Sequence, residues 1–366
     1  MLKSISTFGL FTQRSENLRS LESDLALRIN EASTGRKSDV AGDLGVEISI
    51  LNELRSMQSE NDVFLNSIDA FTRRSDFMVG ALTSVDEAVN TLVKEVVLNA
   101  PQAGQSVGAL DETANTMITQ LVDALNTSAD GRFLFSGVDI DTLALRRPGE
   151  VNPATGLSPN DVMAGILDGT AYAPAQPPAF TPAFTAAEAA TAIARFNDAF
   201  DGTNAALPAP TDDYSFENTL YDGAVGGPAV SARVNNGAPV EYGVTAEDAA
   251  FRQALQGAYM IASVDLQAMA GTDAYEPYVT AALDLLTNGL EDIRAVTAQL
   301  GGVQADVEDR KAALTSQNLI INAQINAYEQ VDPIETQSLV SEIEKQIEAA
   351  YAATVRGSRL RLTNFI

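Results

Sequence analysis

The chain has 366 residues and contains no His, no Cys and no Trp. Without His and Cys it lacks the commonest general base and the usual transition-metal ligands, so its composition argues against an enzyme, although Asp, Glu, Lys, Tyr and Ser could still support catalysis. The formal net charge of −26 repels nucleic acids and anionic membranes. We therefore expect no cofactor, no metal, no nucleic-acid partner and no membrane partner.

The N-terminus carries no recognisable secretion signal. Its first residues lack a continuous apolar run, and charges follow at Arg14 and Glu16. No stretch approaches the roughly 18 apolar residues that a membrane span needs. The sequence predicts a protein that either stays inside the cell or is exported without a cleaved signal peptide.

The first predicted elements are helices. Twelve of the 14 prolines lie in residues 148–277, and because proline inside a helix costs about 3 kcal/mol, both flanks of the chain are free to form long helices. From Met78 to Val96 the apolar positions alternate steps of four and three, a heptad pattern that keeps one stripe facing a partner helix. Pro101 interrupts the pattern, and residues 107–125 predict a second helix.

The middle of the chain, residues 148–278, has a different character. Proline clusters there predict loops, and two short β-prone runs, 231–234 and 240–244, flank a turn-forming Asn-Asn-Gly-Ala-Pro sequence. Thr245 and Asp248 then predict the start of a helix through a capping-box-like arrangement. We expect a small mixed α/β domain inserted between the helical flanks.

The C-terminal flank repeats the heptad pattern from Val279 to Tyr328. Four polar residues fall on the same seam, and they are Thr297, Gln304, Lys311 and Asn318. Polar residues at such positions lower stability but can fix the register and the number of partners. The pattern fits the core of a simple helical hairpin at least as well as it fits an assembly surface.

Together these elements predict a mainly α fold. Long antiparallel helical arms from both termini would form a coiled-coil-like rod, with the mixed α/β domain inserted between them. Five domains are predicted along the chain. They are an N-terminal assembly segment (1–40), an N-terminal helical arm (41–147), an inserted variable outer domain (148–278), a C-terminal helical arm (279–330) and a C-terminal assembly segment (331–366).

The N-terminal part of the sequence resembles the flagellin superfamily, which includes flagellins and hook-associated proteins. Residues 27–30 (Leu-Arg-Ile-Asn) are similar to the family's amphipathic helix. Residues 33–37 (Ser-Thr-Gly-Arg-Lys) are similar to its Gly-basic turn, and residues 39–45 (Asp-Val-Ala-Gly-Asp-Leu-Gly) to its Asp-rich loop.

The C-terminal part resembles the same family. Residues 300–307 are similar to its long C-terminal helix, residues 331–336 (Val-Asp-Pro-Ile-Glu-Thr) to its acidic linker, and residues 360–366 to its short apolar ending. Matches at both ends, in the family's order, are more specific than any one motif.

The resemblance implies a structural protein of the bacterial flagellum that is exported through the flagellar type III machinery and is extracellular. It also implies assembly with copies of itself and with other flagellar axial proteins, and a secretion chaperone that covers the C-terminal helix before export. The assembly residues that we expect are apolar and lie near both ends of the chain. They are Leu18, Leu21, Leu25, Ile29, Leu339, Val340, Ile343, Ile347, Tyr351, Leu360, Leu362, Phe365 and Ile366.

One segment favours a particular branch of this family. Residues 131–137 (Gly-Arg-Phe-Leu-Phe-Ser-Gly) resemble a segment of hook–filament junction proteins, the third hook-associated proteins, where flagellins carry a Gly-rich and Leu-rich variant. We expect a junction protein that adapts hook to filament, with flagellin, the filament subunit, as the alternative. A helical binding or signalling module is the alternative from another class, and it would need a membrane span or a concave pocket.

Isolated charged groups are weaker candidates for sites. Asp139 and Asp141 offer two hard oxygen ligands to a divalent cation, but no third ligand is near in the sequence, and we expect solvated acids. The same holds for Asp212 and Asp213 in a Pro-rich loop. The basic end, residues 356–361, is expected to be solvated or to pair with acidic groups on a neighbouring arm.

Overall fold

The structure, a computed structural model, describes residues 7–99, 109–153, 155–172, 175–201, 214–228 and 230–362, with the backbone alone at residues 7, 8, 10, 11, 201 and 357–362. The helices of these ranges are α1 (Thr7–Thr34), α2 (Val40–Leu44), α3 (Ile48–Asn99), α4 (Leu110–Leu125), α5 (Pro159–Asp168), α6 (Ala186–Asp201), α7 (Phe216–Thr219), α8 (Ala249–Ala262), α9 (Leu266–Met269), α10 (Tyr275–Glu329) and α11 (Pro333–Leu362). The strands are β1 (Ser128–Ala129), β2 (Arg132–Phe133), β3 (Ser231–Ala232) and β4 (Val240–Glu241). The expected mainly α fold, with long helices from both termini and an inserted domain, is confirmed.

Contacts divide the chain into two units. The first consists of Met1–Val63 and Ala313–Ile366, and the second of Phe64–Ala312. Both α3 and α10 contribute residues to each unit.

In the first unit, α1 packs against α11. A second contact joins the beginning of α3 to the last turns of α10, where a small cluster of buried aliphatic side chains forms. The cluster consists of Leu51, Leu54, Ile321 and Ile325, with Val40, Leu44, Ile48 and Tyr328 packed around it.

In the second unit, the heptad stripe of α3 is part of the core. Its six apolar positions are at most 1% exposed, and they are Met78, Leu82, Val85, Val89, Leu92 and Val96. The helix is described as far as Asn99, and Pro101, which was expected to interrupt the heptad pattern, lies outside the described residues. The helix predicted after the interruption is α4, which packs its buried stripe against α8.

The contact between α8 and α10 is unusually close because glycines lie on both helices. A Cβ on Gly289 would lie 2.8 Å from the backbone nitrogen of Ala254, and a Cβ on Gly257 would lie 2.8 Å from the carbonyl oxygen of Ala282. Both distances are too short for any side chain, so the backbones of the two helices touch at these positions.

The inserted region contains the expected β-hairpin, in which Ser231 pairs with Glu241 and Ala232 with Val240. The helix expected to open at Thr245 begins four residues later, at Ala249, so the predicted helix start was wrong. Only half of a capping box forms, in which the backbone N–H of Thr245 donates to Oδ2 of Asp248 at 3.0 Å.

The reason for the late start is a tertiary hydrogen bond. The backbone N–H of Ala246 donates to the carbonyl of Phe135 at 2.9 Å, and this bond holds the segment in a non-helical turn. A contact between residues more than 100 positions apart therefore overrides a local helix-start signal.

Candidate assembly surfaces

The predicted assembly residues of the N-terminal helix lie along α1. Leu18, Leu21 and Leu25 recur at steps of three and four and are half-buried, while Ile29 is 48% exposed. Because α1 packs against α11, its apolar stripe is partly covered, and the rest of it stays accessible to solvent in the described residues.

The predicted residues of the C-terminal helix lie on the facing helix, α11. Val340 is buried, Leu339, Ile343 and Ile347 are half-buried, and Tyr351 is 49% exposed. The pair α1–α11 therefore brings the two sets of predicted residues together within one chain and leaves a large part of their apolar surface accessible to solvent.

A polar contact closes the same pair of helices. The hydroxyl of Tyr351 donates to Oε1 of Glu22 at 2.8 Å, and this bond to a carboxylate raises the pKa of Tyr351. The side chains of Leu360 and Leu362 lie outside the described part of the structure, as do residues Phe365 and Ile366. The predicted roles of these four residues stay predictions.

The turn after α1 is joined by backbone bonds to the turn after α10. Gly35 ends α1 in the left-handed region, with φ of 70°. The N–H of Lys37 donates to the carbonyl of Glu329 at 2.8 Å, and the N–H of Val331 donates to the carbonyl of Gly35 at 3.1 Å. The Ser-Thr-Gly-Arg-Lys motif thus forms a short β-bridge with the entrance to the last helix, which we call the turn–turn bridge.

Buried acids hold the turn–turn bridge from both sides. Glu329 is 8% exposed and accepts a bond from Nη2 of Arg55 at 2.5 Å, with Nη1 of Arg36 at 3.6 Å. Glu31 is 3% exposed and accepts the backbone N–H of Ser38 through Oε1 at 2.9 Å, in addition to a bond from an arginine of its own helix. Because a buried carboxylate is tolerated only when it is paired, these contacts fix both turns.

The segment expected to be an acidic linker, residues 331–336, is mostly helix. Asp332 caps the N-terminus of α11 by accepting the N–H of Ile334 at 2.8 Å, and Pro333 occupies the first helical position. A proline has no N–H to lose at that position, and its fixed φ suits a helix. The linker itself is therefore limited to residues 330–332.

The polar residue on the seam of the first unit has a polar partner. Nδ2 of Asn318 donates to Oδ1 of Asp62 at 2.9 Å, and Oδ1 of Asn318 accepts from Nδ2 of Asn61 at 3.0 Å. The amide of Asn318 thus both donates and accepts a hydrogen bond. Its nitrogen and its oxygen are therefore both paired where the side chain is partly buried between α3 and α10.

The polar residues on the seam of the second unit also have polar partners. Gln304 donates to Oγ of Ser75 and Oδ1 of Asp76, each at 3.0 Å. Nζ of Lys311 lies 3.0 Å from Oδ1 of Asp69, and this bond raises the pKa of Lys311. The remaining seam residue, Thr297, bonds to its own helix.

The Gly-Arg-Phe-Leu-Phe-Ser-Gly segment supplies the second turn residue and the second strand of the β1–β2 hairpin, and the bend after it. Asp130 and Gly131, in the hairpin turn, have φ of 54° and 73°, the combination that tight hairpins require. Phe135 is fully buried and meets the ring of Phe251 edge-on, with centroids 6.3 Å apart. The segment is thus a structural joint between the helical part of the unit and the inserted region.

A buried cation in the inserted region gave no signal in the sequence. Arg195 on α6 donates through Nη1 to the carbonyls of Ile166 and Leu167, both at 3.2 Å, and through Nη2 to that of Pro177 at 2.7 Å. The first two carbonyls belong to the last turn of α5, where a cation is favourable. Burial lowers the pKa of Arg195, and its role is to hold α5 on α6.

The isolated charged groups form no constellation that the structure describes. Asp139 and Asp141 are exposed, as is Arg356, whereas Asp212 and Asp213 lie outside the described residues. In the described ranges no group of three or more acids could hold a metal ion. No helix of these ranges is both long enough and apolar enough to cross a membrane.

Comparison with known proteins adds two family matches. Residues 5–139 match the bacterial flagellin N-terminal helical region, and residues 283–366 match the bacterial flagellin C-terminal helical region. No curated protein sequence matches the chain. The solved structure of a protein proposed to be a flagellar hook-associated protein, from Vibrio parahaemolyticus, is similar at 14% sequence identity and a TM-score of 0.49, over 78% of this chain and 99% of that chain.

Terminal helices that pair with each other, matched at both ends to flagellin regions, define a helical structural protein of the bacterial flagellum. Proteins of this class are structural rather than enzymatic, and they assemble with themselves and with other axial proteins of the flagellum. The chain belongs to the flagellin superfamily.

Proposed function

We propose that the chain is a hook–filament junction protein that assembles through α1 and α11 and adapts hook to filament. The observation that supports assembly is the half-covered apolar stripe of these two helices, from Leu18 to Ile29 and from Leu339 to Tyr351. Apolar surface left in water contributes about 25 cal/mol per Å² when a neighbour covers it. The junction role rests on the resemblance of residues 131–137 to junction proteins.

We assign one role to each of the predicted domains. Residues 1–40 and 331–366 are assembly segments, residues 41–147 and 279–330 are helical arms, and the inserted residues 148–278 supply the outer surface. The chain has no catalytic role. It leaves the cell through the type III export machinery. A secretion chaperone covers the C-terminal helix before export, and the assembled protein is extracellular.

Flagellin, the filament subunit itself, is the second candidate, and the two matches to flagellin helical regions favour it. Deletion of the gene, followed by electron microscopy of the cells, separates the two. Hooks without filaments, with unpolymerised flagellin in the medium, are expected for a junction protein. Filaments that persist with altered length or shape would point to flagellin, and unaltered flagella would overturn both proposals.

The assembly surface is tested by complementing the deletion strain. Ile343→Asp with Ile347→Asp places two carboxylates on the half-buried stripe of α11, and we expect secretion of a chain that no longer incorporates. Ser338→Asp with Ala349→Asp adds the same charge at exposed positions of the same helix and should incorporate normally. Normal incorporation of the first variant would contradict the proposed surface.

A further inference from the structure

The dipeptide Asn-Gly occurs twice in the sequence, at Asn236-Gly237 and at Asn288-Gly289. Both asparagine side chains are exposed to solvent. Their backbones differ, because Asn236 lies in the bend between β3 and β4, whereas Asn288 lies inside α10. We propose that Asn236 is a site of spontaneous deamidation in the folded protein, and that Asn288 reacts only in chains that have unfolded.

The reaction needs no enzyme and consumes only water. The backbone nitrogen of the residue after the asparagine gives its proton to a base in solution and forms a bond to the side-chain Cγ. The Cγ–Nδ2 bond breaks, ammonia leaves and a five-membered succinimide remains. Water then opens the ring at either carbonyl and gives aspartate or isoaspartate. A following glycine favours the attack because it has no Cβ and its backbone is the least restricted.

The bend at Asn236 restrains the reacting atoms only weakly. The flanking strands are two residues long each, and Gly237 is exposed. The N–H of Gly237 donates to Oδ1 of the neighbouring Asn235 at 2.8 Å, a local bond in water that is a weak restraint. Reaching the cyclic geometry therefore requires motion of an exposed bend and no change in the core.

The helix at Asn288 keeps the reacting atoms apart. Helical dihedrals direct the next backbone nitrogen away from Cγ, and the N–H of a helical residue is held by the carbonyl four residues earlier. The contact with α8 adds to this restraint, since a Cβ on Gly289 would lie 2.8 Å from the nitrogen of Ala254 and 3.0 Å from the carbonyl oxygen of Ala250. The attack requires opening of α10 where α8 lies against it.

The two sites would have different consequences. Each event adds one negative charge, and isoaspartate also adds one methylene to the backbone. At Asn236 these changes fall in an exposed bend, which accommodates them. At Asn288 the longer backbone would interrupt α10 beside Gly289, so a chain modified there cannot restore the close contact with α8. The modified fraction at Asn236 should thus increase with the age of the protein. The modified fraction at Asn288 should increase only when the chain unfolds.

The test compares the two sites within one sample. The full chain is incubated at mildly alkaline pH, folded or in denaturant, and digested with trypsin. Cleavage after Arg233, Arg252 and Arg294 gives adjacent peptides that carry one Asn-Gly site each. Mass spectrometry then follows the conversion of each amide to an acid. We expect conversion at Asn288 to be at least about tenfold slower than at Asn236 in the folded chain, and similar rates at both sites in denaturant.

A matched variant assigns the reacting residue. Gly237→Ala hinders the attacking nitrogen, and the structure accepts it because Gly237 lies outside the left-handed region and the nearest atom to the new Cβ is the end of the Asn235 side chain, at 3.0 Å. Conversion in that peptide should fall severalfold with the circular dichroism spectrum unchanged. Equal rates at both sites in the folded chain, or no conversion of Asn236 while the denatured chain reacts, would overturn the proposal.

Discussion

Lys311 on α10 places its ammonium nitrogen 3.0 Å from Oδ1 of Asp69 on α3. One heptad earlier on α10, Gln304 reaches Asp76, so two polar seam residues meet two acids that are themselves seven residues apart. A slip of the antiparallel helices by less than a heptad would separate both pairs. The polar interruptions therefore act as markers of register in this unit, as such residues do in coiled coils.

The Lys311–Asp69 bond should make a small, pH-dependent contribution to stability. The bond raises the pKa of Lys311 above its ordinary value of 10.5, so the contribution is complete below that value and is lost as pH rises through the higher value of the folded state. Lys311 is 34% exposed, which limits the contribution to less than about 1 kcal/mol.

Lys311→Gln tests this contribution. Urea unfolding followed by circular dichroism should give a slightly lower free energy of unfolding than the parent at neutral pH, and the difference should shrink toward zero in strongly alkaline solution. Lys94→Gln, at an exposed position of α3, is the control and should not reproduce this pH dependence. A difference that stays constant through the alkaline range would contradict the role of the bond.

The close crossing of α8 and α10 predicts opposite effects for two glycine substitutions in one helix. Gly289→Ala puts a methyl group 2.8 Å from a backbone nitrogen of α8, and the helices must separate. Overpacking costs about 1–3 kcal/mol, which exceeds the gain of up to about 1 kcal/mol in helix propensity. Gly302→Ala has open space around its new methyl group and should gain stability by up to about 1 kcal/mol. Thermal unfolding of both variants measures the signs, and a stabilised Gly289→Ala variant would refute the close contact.

Features of this fold that depend on nearby residues can be predicted from the sequence, whereas features that depend on contacts between distant residues cannot. The stripe from Met78 to Val96 was predicted correctly because burial on one face of a helix leaves a local period in the sequence. The start of α8 was predicted wrongly, because a bond from Ala246 to Phe135 overrides the local signal. Glu329 and Arg195 gave no signal at all, since a single charge acquires a partner only when distant segments meet.

The same distinction applies to the candidate site. The resemblance to the flagellin superfamily indicates which apolar residues of α1 and α11 to expect in assembly, and the structure places these helices together. The sequence does not determine which part of the apolar surface stays exposed, because that depends on the angle at which the two helices cross. The residues expected to contact neighbouring subunits, among them Ile343 and Ile347, therefore stay predictions until the variants are tested.

The turn–turn bridge predicts strong coupling between Arg55 and Glu329. Glu329→Ala removes a buried acceptor and leaves two arginines without it, and we expect a loss of about 1–3 kcal/mol in the free energy of unfolding. Arg55→Ala should cost a similar amount, because it leaves the carboxylate buried beside a more distant Arg36. The double variant should cost clearly less than the sum of the two single changes. Additive losses would show that the pair does not interact. Glu335→Ala, at an exposed position of α11, is the control for removal of a carboxylate.

The side chain of Asn126 holds the segment after the β1–β2 hairpin, and an isosteric change should loosen it. Oδ1 of Asn126 accepts the backbone N–H of Leu145 at 2.9 Å, while Nδ2 donates to the carbonyl of the same residue at 2.7 Å. Asn126→Asp keeps the acceptor but replaces the donor with an oxygen that faces the carbonyl, so one bond becomes a repulsion. We expect a loss of about 1–3 kcal/mol at neutral pH, measured by urea unfolding. The loss should become smaller in acid, where a protonated carboxyl can donate to that carbonyl again.

The matched change Asn115→Asp, at an exposed position of α4, should cost much less at neutral pH. If both variants unfold at the same urea concentration, the two bonds to Leu145 do not hold this segment.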